Sequence, residues 1–302
     1  MVLPMALALH PGPRKKGMYM KLKLIMADPA GNRTAIVRTP VPAAQRAQIA
    51  AKLLEIPALR AEQAGFETAP CMGGAGRLEM MGGEFCGNAA RSYGYLLWRE
   101  RNPRGDIGRT ENETAGSMQI EISGSAQPLA VDCDLEKGTS YAQMPLPDAI
   151  LHTSEGYPLV VSEGITHVIL QDMDPDEDLI RRLVEEYGDR WDAFGMMFLK
   201  GDCLTPVVYV RDAGSLVWES SCGSGSLAAA WYLGRMKHVL EDGTAGKSGA
   251  NVTPVEETVD FHFLEPGGEI SVRISRGQDG GLIAQMGGRI SLEREIELEL
   301  LY

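Results

Sequence analysis

Two stretches of the chain place a cysteine and a glycine directly before an apolar, helix-like run, and they constrain the fold more than any other feature. The first is GGEFCGNAARSYGYLL (Gly82–Leu97), and the second is WESSCGSGSLAAAWYL (Trp218–Leu233). Their cysteines, Cys86 and Cys222, lie nearly half the chain apart. This spacing predicts two similar lobes, each with one cysteine-led helix, that face each other across a single cleft.

Composition places the chain among ordinary globular proteins. It has 302 residues, of which 44% are hydrophobic and 23% charged, and this length suits two domains of usual size. The net charge of −12 disfavours a nucleic-acid partner, because such surfaces cluster Lys and Arg. No apolar run approaches the length of a membrane span. We therefore expect a small-molecule ligand, with no nucleic-acid or membrane partner.

The cysteine pattern indicates a reducing compartment. The five cysteines form neither a CxxC pair nor a Cys/His zinc spacing, and an odd count of five is too few for a disulfide scaffold of this length. We therefore expect a cytoplasmic protein with reduced thiols and no metal site. Cys71, Cys133 and Cys203 do not lead a helix, and we interpret them as packing residues.

Residue patterns divide the chain into a leader and two lobes. Residues 1–19 contain a short apolar run interrupted by Pro-Gly-Pro and are predicted to form a disordered leader. The N-terminal lobe is predicted over 20–146 and the C-terminal lobe over 147–285. Each contains several strand patterns and one amphipathic helix, at 42–55 and 174–191, besides its cysteine-led helix.

A thiol at a helix N-terminus suits acid–base chemistry on an anionic substrate. The helix dipole and the free N–H groups of the first turn favour a thiolate. We therefore expect the pKa of Cys86 and Cys222 to lie below the unperturbed value of about 8.5. Small residues that leave backbone N–H groups open to a carboxylate follow each cysteine. They are Gly87, Asn88, Gly223 and Ser224.

Two such cysteines beside carboxylate cradles are typical of amino-acid racemisation. One thiolate removes the α-proton, and the opposite thiol delivers a proton to the other face of the carbon. The carbanionic intermediate is unstable, so preorganised dipoles must hold the carboxylate away from water. Because one thiolate and one thiol act together, their titrations are coupled. This chemistry needs neither a pyridoxal lysine nor a metal, and we expect no cofactor.

These motifs resemble the cofactor-independent, two-cysteine amino-acid racemases of the diaminopimelate epimerase fold. The matching stretches are CGNAAR (86–91), CGSGS (222–226), Gly31-Asn32 and EPGGEISVRIS (265–275). The resemblance implies an α/β (α+β) fold of two pseudo-symmetric lobes, each a curved, mainly antiparallel sheet around a central helix. It also implies that residues 286–302 complete the N-terminal lobe and that the protein is a homodimer.

Within that family the sequence is most similar to the histidine racemases that supply D-histidine for opine-type metallophores. The similar stretches are EQAGF (62–66), FGMMF (194–198) and SLVWESSCGSGS (215–226). Diaminopimelate epimerase carries a Glu-Arg pair before its second cysteine, whereas this chain reads RDAGSLVW (211–218), which favours a different substrate side chain. The alternatives are an epimerase for diaminopimelate or another amino acid, and an amino-acid-binding or redox-sensing protein with a reversible cysteine pair.

The resemblance also assigns roles to individual residues. It implies that Cys86 and Cys222 are the two bases, and that His167 and Glu219 tune the thiols. The expected substrate ligands are Asn32, Glu62, Gln63, Gly87, Asn88, Gly223 and Ser224. Simpler interpretations stay open, since Glu62 could be a solvated charge, His167 a satisfied core histidine and Glu219 a helix cap.

Overall fold

A computed structural model describes residues 19–103, 114–236, 258–277 and 279–302, which contain 18 strands, four α-helices and one 3-10 helix (Gly188–Arg190). The strands are β1 (Tyr19–Asp28), β2 (Thr34–Val37), β3 (Gln63–Thr68), β4 (Arg77–Met80), β5 (Ala115–Ile122), β6 (Leu129–Asp134), β7 (Thr139–Met144), β8 (Ala149–His152), β9 (Pro158–Ser162), β10 (Ile165–Gln171), β11 (Ala193–Lys200), β12 (Cys203–Val210), β13 (Ser215–Trp218), β14 (Val259–Glu265), β15 (Gly268–Arg276), β16 (Leu282–Arg289), β17 (Ser291–Leu292) and β18 (Ile296–Leu301). The helices are α1 (Ala43–Leu54), α2 (Gly87–Arg101), α3 (Glu177–Tyr187) and α4 (Gly223–Met236). Strand β1 begins at Tyr19, the last residue of the expected leader, and residues 1–18 lie outside the described residues.

Two successive sets of elements share one order and one pairing scheme. In the first set, α1 joins the parallel strands β2 and β3, β4 pairs antiparallel with β3, and α2 leads into the antiparallel strands β5, β6 and β7. In the second set, α3 joins the parallel strands β10 and β11, β12 pairs antiparallel with β11, and α4 precedes the antiparallel strands β14, β15 and β16. Most strand pairs are antiparallel, and the predicted fold of two similar lobes is confirmed.

Strands from the two sets also pair with each other. Strand β16 bonds to β15 along one edge and to β7 along the other, with Met286 opposite Ala142. The predicted division between residues 285 and 286 therefore falls inside β16, a strand that pairs with strands of both sets. Strand β18 returns to the start of the chain and lies antiparallel to β1, with Leu301 opposite Tyr19.

Each cysteine-led helix lies at the centre of one core, as expected for a helix that is apolar on most of its sides. Helix α2 buries Ala89, Tyr93 and Leu96 among the strands of the first set. It packs so closely on β6 that a Cβ atom on Gly94 would lie 2.6 Å from Cγ1 of Val131. Helix α4, rich in alanine, buries Trp231 and its neighbours in the second core. Burial on several sides fixes the position of each helix start.

Local sequence signals explain the outer helices. Pro42 precedes α1, where its missing N–H is not needed. Asp176 caps α3, because its Oδ1 accepts a hydrogen bond of 2.7 Å from the N–H of Leu179. These two helices cover further apolar clusters on the sheets. No helix in the described ranges is long and apolar enough to cross a membrane.

Candidate active site

Helix α2 begins immediately after Cys86. The cysteine has an extended backbone, with φ of −138° and ψ of 110°, and its Sγ accepts a hydrogen bond of 3.4 Å from the N–H of Ala89. A hydrogen bond from Gln63 also reaches this thiol. The N–H groups of Gly87 and Asn88 lie in the first helical turn and have no acceptor within the helix. The predicted thiol and its anion cradle therefore lie together at the start of α2.

Helix α4 begins immediately after Cys222, which is 5% exposed. Its Sγ lies 3.9 Å from Nε2 of His167 and 3.5 Å from Oγ of Ser224. The Ser224 hydroxyl in turn lies 3.2 Å from the same histidine nitrogen. The structure thus brings three of the predicted site residues into one cluster.

The two helix starts meet at Met286 of β16. A Cβ atom on Gly87 would lie 2.7 Å from Cε of this methionine, and one on Gly223 would collide with the same carbon. In addition, Nδ2 of Asn88 donates a hydrogen bond of 3.2 Å to Oγ of Ser221. The two cysteine motifs therefore approach each other where the lobes join, as the sequence predicts.

A chain of amide side chains links the lobes at the same place. Gln63 donates to Oδ1 of Asn32 and, at 2.8 Å, to Oγ1 of Thr34. Asn32 then donates a bond of 3.4 Å to the carbonyl of Ser221, directly before Cys222. The predicted ligands Asn32 and Gln63 therefore lie between the two cysteine motifs.

Two glycine turns cross beside these amides. Gly31 has a φ of +93°, and a Cβ atom there would lie 2.5 Å from Cα of Gly267. Gly267 donates a backbone hydrogen bond of 2.7 Å to the carbonyl of Ser220. Side chains at either position would push the turns apart, which explains why two distant sequence motifs both require glycine here.

Two predicted glutamates flank the site. Glu62 is exposed as a residue, yet partial burial of its carboxyl raises its pKa, and it bonds the side chain of Ser220. Burial likewise raises the pKa of Glu219, whose carboxyl interacts with the Cys222 thiol and with Glu62. The two carboxyls therefore provide a negative environment near the second cysteine.

The expectation of lowered thiol pKa values is wrong. Burial raises the pKa of Cys86 and outweighs the lowering by the N–H of Ala89 and by Gln63. Burial, followed by the charges of Glu219 and Glu265, raises the pKa of Cys222 well above its ordinary value. The loss of hydration around a buried thiolate destabilises it more than the helix terminus stabilises it.

His167 is neutral near neutral pH. Its complete burial lowers its pKa to about 3. Nδ1 has no hydrogen-bond partner among the described residues, while Nε2 faces Ser224 and Cys222. The imidazole can therefore exchange hydrogen bonds with the thiol but adds no positive charge that would stabilise a thiolate.

Sequence reasoning missed a buried network behind the first cysteine. Arg91 is fully buried; its Nε donates 3.1 Å to Oδ1 of Asn88, and its Nη1 donates to the carbonyls of Gly288 and Arg289. Ser221 and Arg91 thus hold the Asn88 side chain in place, while the backbone N–H of this predicted ligand lies in the first turn of α2. The i, i+3 spacing of Asn and Arg in CGNAAR was the available signal.

Sequence reasoning also missed Glu265. This buried carboxyl ends β14 and accepts a hydrogen bond of 2.6 Å from the N–H of Cys222. A glutamate before Pro-Gly-Gly was visible in the sequence, but only the folded chain shows that it reaches α4.

The other three cysteines lie apart from this site. Cys133 is buried, in agreement with a packing role, whereas Cys71 and Cys203 are exposed, so the packing interpretation is wrong for these two. Cys71 lies in the surface loop before β4, and Cys203 is the first residue of β12. Within the described part of the chain, no three His, Cys, Asp or Glu side chains are grouped to hold a metal ion.

Comparisons with known proteins agree with this geometry. The model of the family described as the histidine racemase CntK N-terminal domain matches residues 21–292. A histidine racemase of Fusobacterium nucleatum subsp. nucleatum is 32% identical over 72% of this chain and 83% of its own length. A histidine racemase of Staphylococcus aureus is 25% identical over 87% of this chain and 92% of its own. The structure of a hydroxyproline epimerase from Agrobacterium vitis, with trans-4-hydroxy-L-proline bound, has a TM-score of 0.57 at 12% identity and covers 93% of this chain and 92% of its own. That likeness shows a shared fold.

Proposed function

The chain belongs to the histidine racemase family, and from this premise we propose that it interconverts L- and D-histidine with Cys86 and Cys222 as the two bases. It is an isomerase. The observation that carries the two-base proposal is the meeting of two cysteine-led helix starts, one from each lobe, at Met286. Two thiols on opposite sides of one α-carbon are what exchange of its configuration requires.

The helix starts supply the carboxylate site of this proposal. In this proposal the backbone N–H groups of Gly87, Asn88, Gly223 and Ser224, which lie in the first turns of two helices, bind one substrate carboxylate at the positive helix ends. Met286 occupies the place where both glycines come closest, and its flexible side chain can move aside when substrate enters. Holding the carboxylate there stabilises the negative charge that develops when the α-proton leaves.

The polar groups around the helix starts hold the rest of the substrate. Asn32 and Gln63 offer amide groups, and the carboxyls of Glu62 and Glu219 provide the negative environment that an ammonium or imidazolium group needs. The positive ammonium group also favours ionisation of a thiol beside it. Substrate binding therefore promotes the thiolate that burial alone disfavours.

Deuterium exchange tests the proposal directly. The reduced enzyme is incubated in heavy water with each common L-amino acid and with diaminopimelate, and proton NMR follows the α-proton while chiral chromatography reports configuration. We expect histidine to lose its α-proton and become racemic. Exchange with another amino acid instead would keep the mechanism and replace the substrate. No exchange with any of them would favour an amino-acid-binding or redox-sensing protein.

Three further assignments belong to this proposal. We place the enzyme in the cytoplasm, because its cysteines form no disulfide within the described residues. The family resemblance supports a homodimer, which light scattering tests. It also supports the use of D-histidine in making opine-type metallophores. Deleting the gene and analysing the metabolites of the cells tests this assignment.

A further inference from the structure

Glu265 caps helix α4 from a distant strand. Its Oε2 accepts the N–H of Cys222 at 2.6 Å, and its Oε1 forms a hydrogen bond with the Ser226 hydroxyl. That hydroxyl also lies 3.0 Å from the carbonyl oxygen of Cys222. The next turn anchors the strand end, because Gly267 donates to the carbonyl of Ser220. The backbone of the cysteine is therefore held on both sides by one carboxyl and its serine partner.

This contact places two acidic groups at one helix start. A buried helix terminus stabilises one negative charge well, but two adjacent buried charges repel each other strongly. When Glu265 is ionised, it accepts hydrogen bonds from Cys222 and Ser226 and opposes a thiolate. When Glu265 is protonated, it donates to Ser226, Ser226 donates to the Cys222 carbonyl, and the second carboxyl oxygen still accepts the Cys222 N–H. Both protonation states are thus satisfied.

We propose that Glu265 is a positioning residue for Cys222, which fixes the cysteine at the start of α4 and carries a proton whenever Cys222 is a thiolate. The pair then holds one negative charge instead of two. In the racemisation scheme, on which this inference rests, the charge of the second base therefore depends on a carboxyl that does not touch the substrate.

The surrounding charges agree with this assignment. Burial raises the pKa of Glu265 to about 8, so the carboxyl changes its charge in the range where the enzyme would work. The other groups that face the pair are Glu219, whose charge raises both pKa values, Arg91, whose charge lowers that of Glu265, and His167, which is neutral. Among the described residues Glu265 forms no ion pair that would fix its charge, because the Arg91 guanidinium donates to Asn88, Gly288 and Arg289 instead.

Thiol alkylation of Glu265→Gln tests the inference without requiring activity. The amide keeps an oxygen for the Cys222 N–H and a donor for Ser226, but it removes the charge. Peptide mass spectrometry then follows the reaction of Cys222 with iodoacetamide between pH 6 and 10. Because Glu265, with a pKa of about 8, is mostly ionised at pH 8.5, we expect alkylation of Cys222 there to be about threefold faster or more, since only the thiolate reacts. The difference should shrink toward pH 6, where Glu265 is protonated in both proteins. Cys86 in the same sample is the reference and changes less.

Glu121→Gln is the matched control. Glu121 is another fully buried carboxyl, and it accepts backbone N–H groups of Cys71 and Met72 at 2.8 and 2.6 Å, far from α4 in the sheet. The same chemical change there should leave the Cys222 alkylation profile unaltered, even if it lowers stability. An unchanged or slower Cys222 reaction in Glu265→Gln would overturn the inference.

A second variant covers the case in which Glu265→Gln fails to fold. Ser226→Ala keeps the carboxyl but removes a hydrogen bond that lowers its pKa, so Glu265 holds its proton more readily. Alkylation of Cys222 should again be faster, by a smaller factor, and a slower reaction would contradict the inference. Deuterium exchange of histidine, measured on the wild-type preparation, separately reports whether the racemase proposal itself fails.

Discussion

Cys86 and Cys222 occupy equivalent places in the two lobes but have different neighbours. Each precedes a buried helix. Cys86 is contacted by Gln63 of β3 and Cys222 by His167 of β10, and each of these strands belongs to a parallel pair. Cys86 is half-buried and receives hydrogen bonds from a backbone N–H and from the amide of Gln63. Cys222 is buried, with an imidazole, a hydroxyl and two carboxyls around it. The repeated scaffold therefore sets the geometry, while the neighbours set the charge.

These different neighbours make the two proposed bases unequal in their tendency to ionise. At Cys222 the charges of Glu219 and Glu265 are the largest causes after burial and raise the pKa further. At Cys86 the hydrogen bonds from Ala89 and Gln63, which lower the pKa, come before the raising charges of Glu84 and Glu219. At a given pH, Cys86 therefore has the larger thiolate fraction before substrate binds. A racemase must nevertheless act on both faces of one carbon, so substrate binding has to reduce this inequality.

Removal of either thiol should have the largest effect. We expect Cys86→Ser and Cys222→Ser each to lower racemisation at least about 100-fold, because positioned acid–base groups contribute that much or more. Each variant keeps one base and should still exchange the α-proton of only one enantiomer. Cys203→Ser, at an exposed cysteine of β12, is the control and should racemise normally. Normal racemisation by either of the first two variants would rule out two bases.

A methyl group at the helix starts should have the next largest effect. A methyl group on Gly223 would take up the space of the Met286 side-chain end, and one on Gly87 would take up that of Met286 and Met144. In the proposed site the Met286 end must also make room for substrate, so the methyl group and the carboxylate compete for one space. A displacement of about 1 Å at a reacting group can cost about 100-fold in rate, and we expect kcat/KM to fall by about that factor. Gly156→Ala is the control outside the site: nothing lies within 4 Å, so the alanine strains only its own turn, where φ is +91°, and should lower stability without lowering kcat/KM. An active Gly223→Ala enzyme would place the carboxylate elsewhere.

The raised thiol pKa values predict an alkaline rate profile. Because the rate needs a thiolate and the pKa of each thiol is raised, the reactive fraction increases with pH through the neutral range. We expect kcat/KM for histidine to rise by up to about tenfold per pH unit from pH 7 toward 9. Initial rates over this range, in buffers of constant ionic strength, measure the profile. A plateau beginning below pH 8 would instead show that the pKa of the reacting thiol is lowered, as its position at a helix start alone suggests.

Much of the fold and the position of the site could be predicted from local patterns. Helix periodicity predicted α1 and α3, and Cys-Gly followed by small and apolar residues predicted the starts of α2 and α4. The sequence motifs that resemble the family indicated Asn32, His167 and Glu219, which the structure places around the two cysteines. These features depend on residues close in sequence, or on motifs that carry a resemblance, and both are visible in one chain.

The electrostatics could not be predicted in this way. The direction of a thiol pKa depends on how deeply the folded chain buries it and on carboxyls such as Glu265, which comes from a strand beyond α4. The same limit explains the wrong interpretation of Cys71 and Cys203, since a cysteine outside a motif gives no local sign of its exposure. Long-range packing, rather than local pattern, decides these properties.

The smallest predicted effect separates the two thiols most sharply. Gln63→Ala removes a hydrogen bond that lowers the pKa of Cys86, so the Cys86 thiolate becomes less populated. We expect alkylation of Cys86 at pH 7.5 to slow by about twofold to threefold, while Cys222 reacts as before. His167→Ala is the counterpart in the other lobe and should alter only Cys222, since its ring contacts that thiol and Ser224. If each substitution changed the alkylation rates of both thiols equally, the two thiols would be coupled through the hydrogen bonds that link Gln63, Asn32 and Ser221. In that case the local neighbours of each cysteine would not set its charge independently of the other.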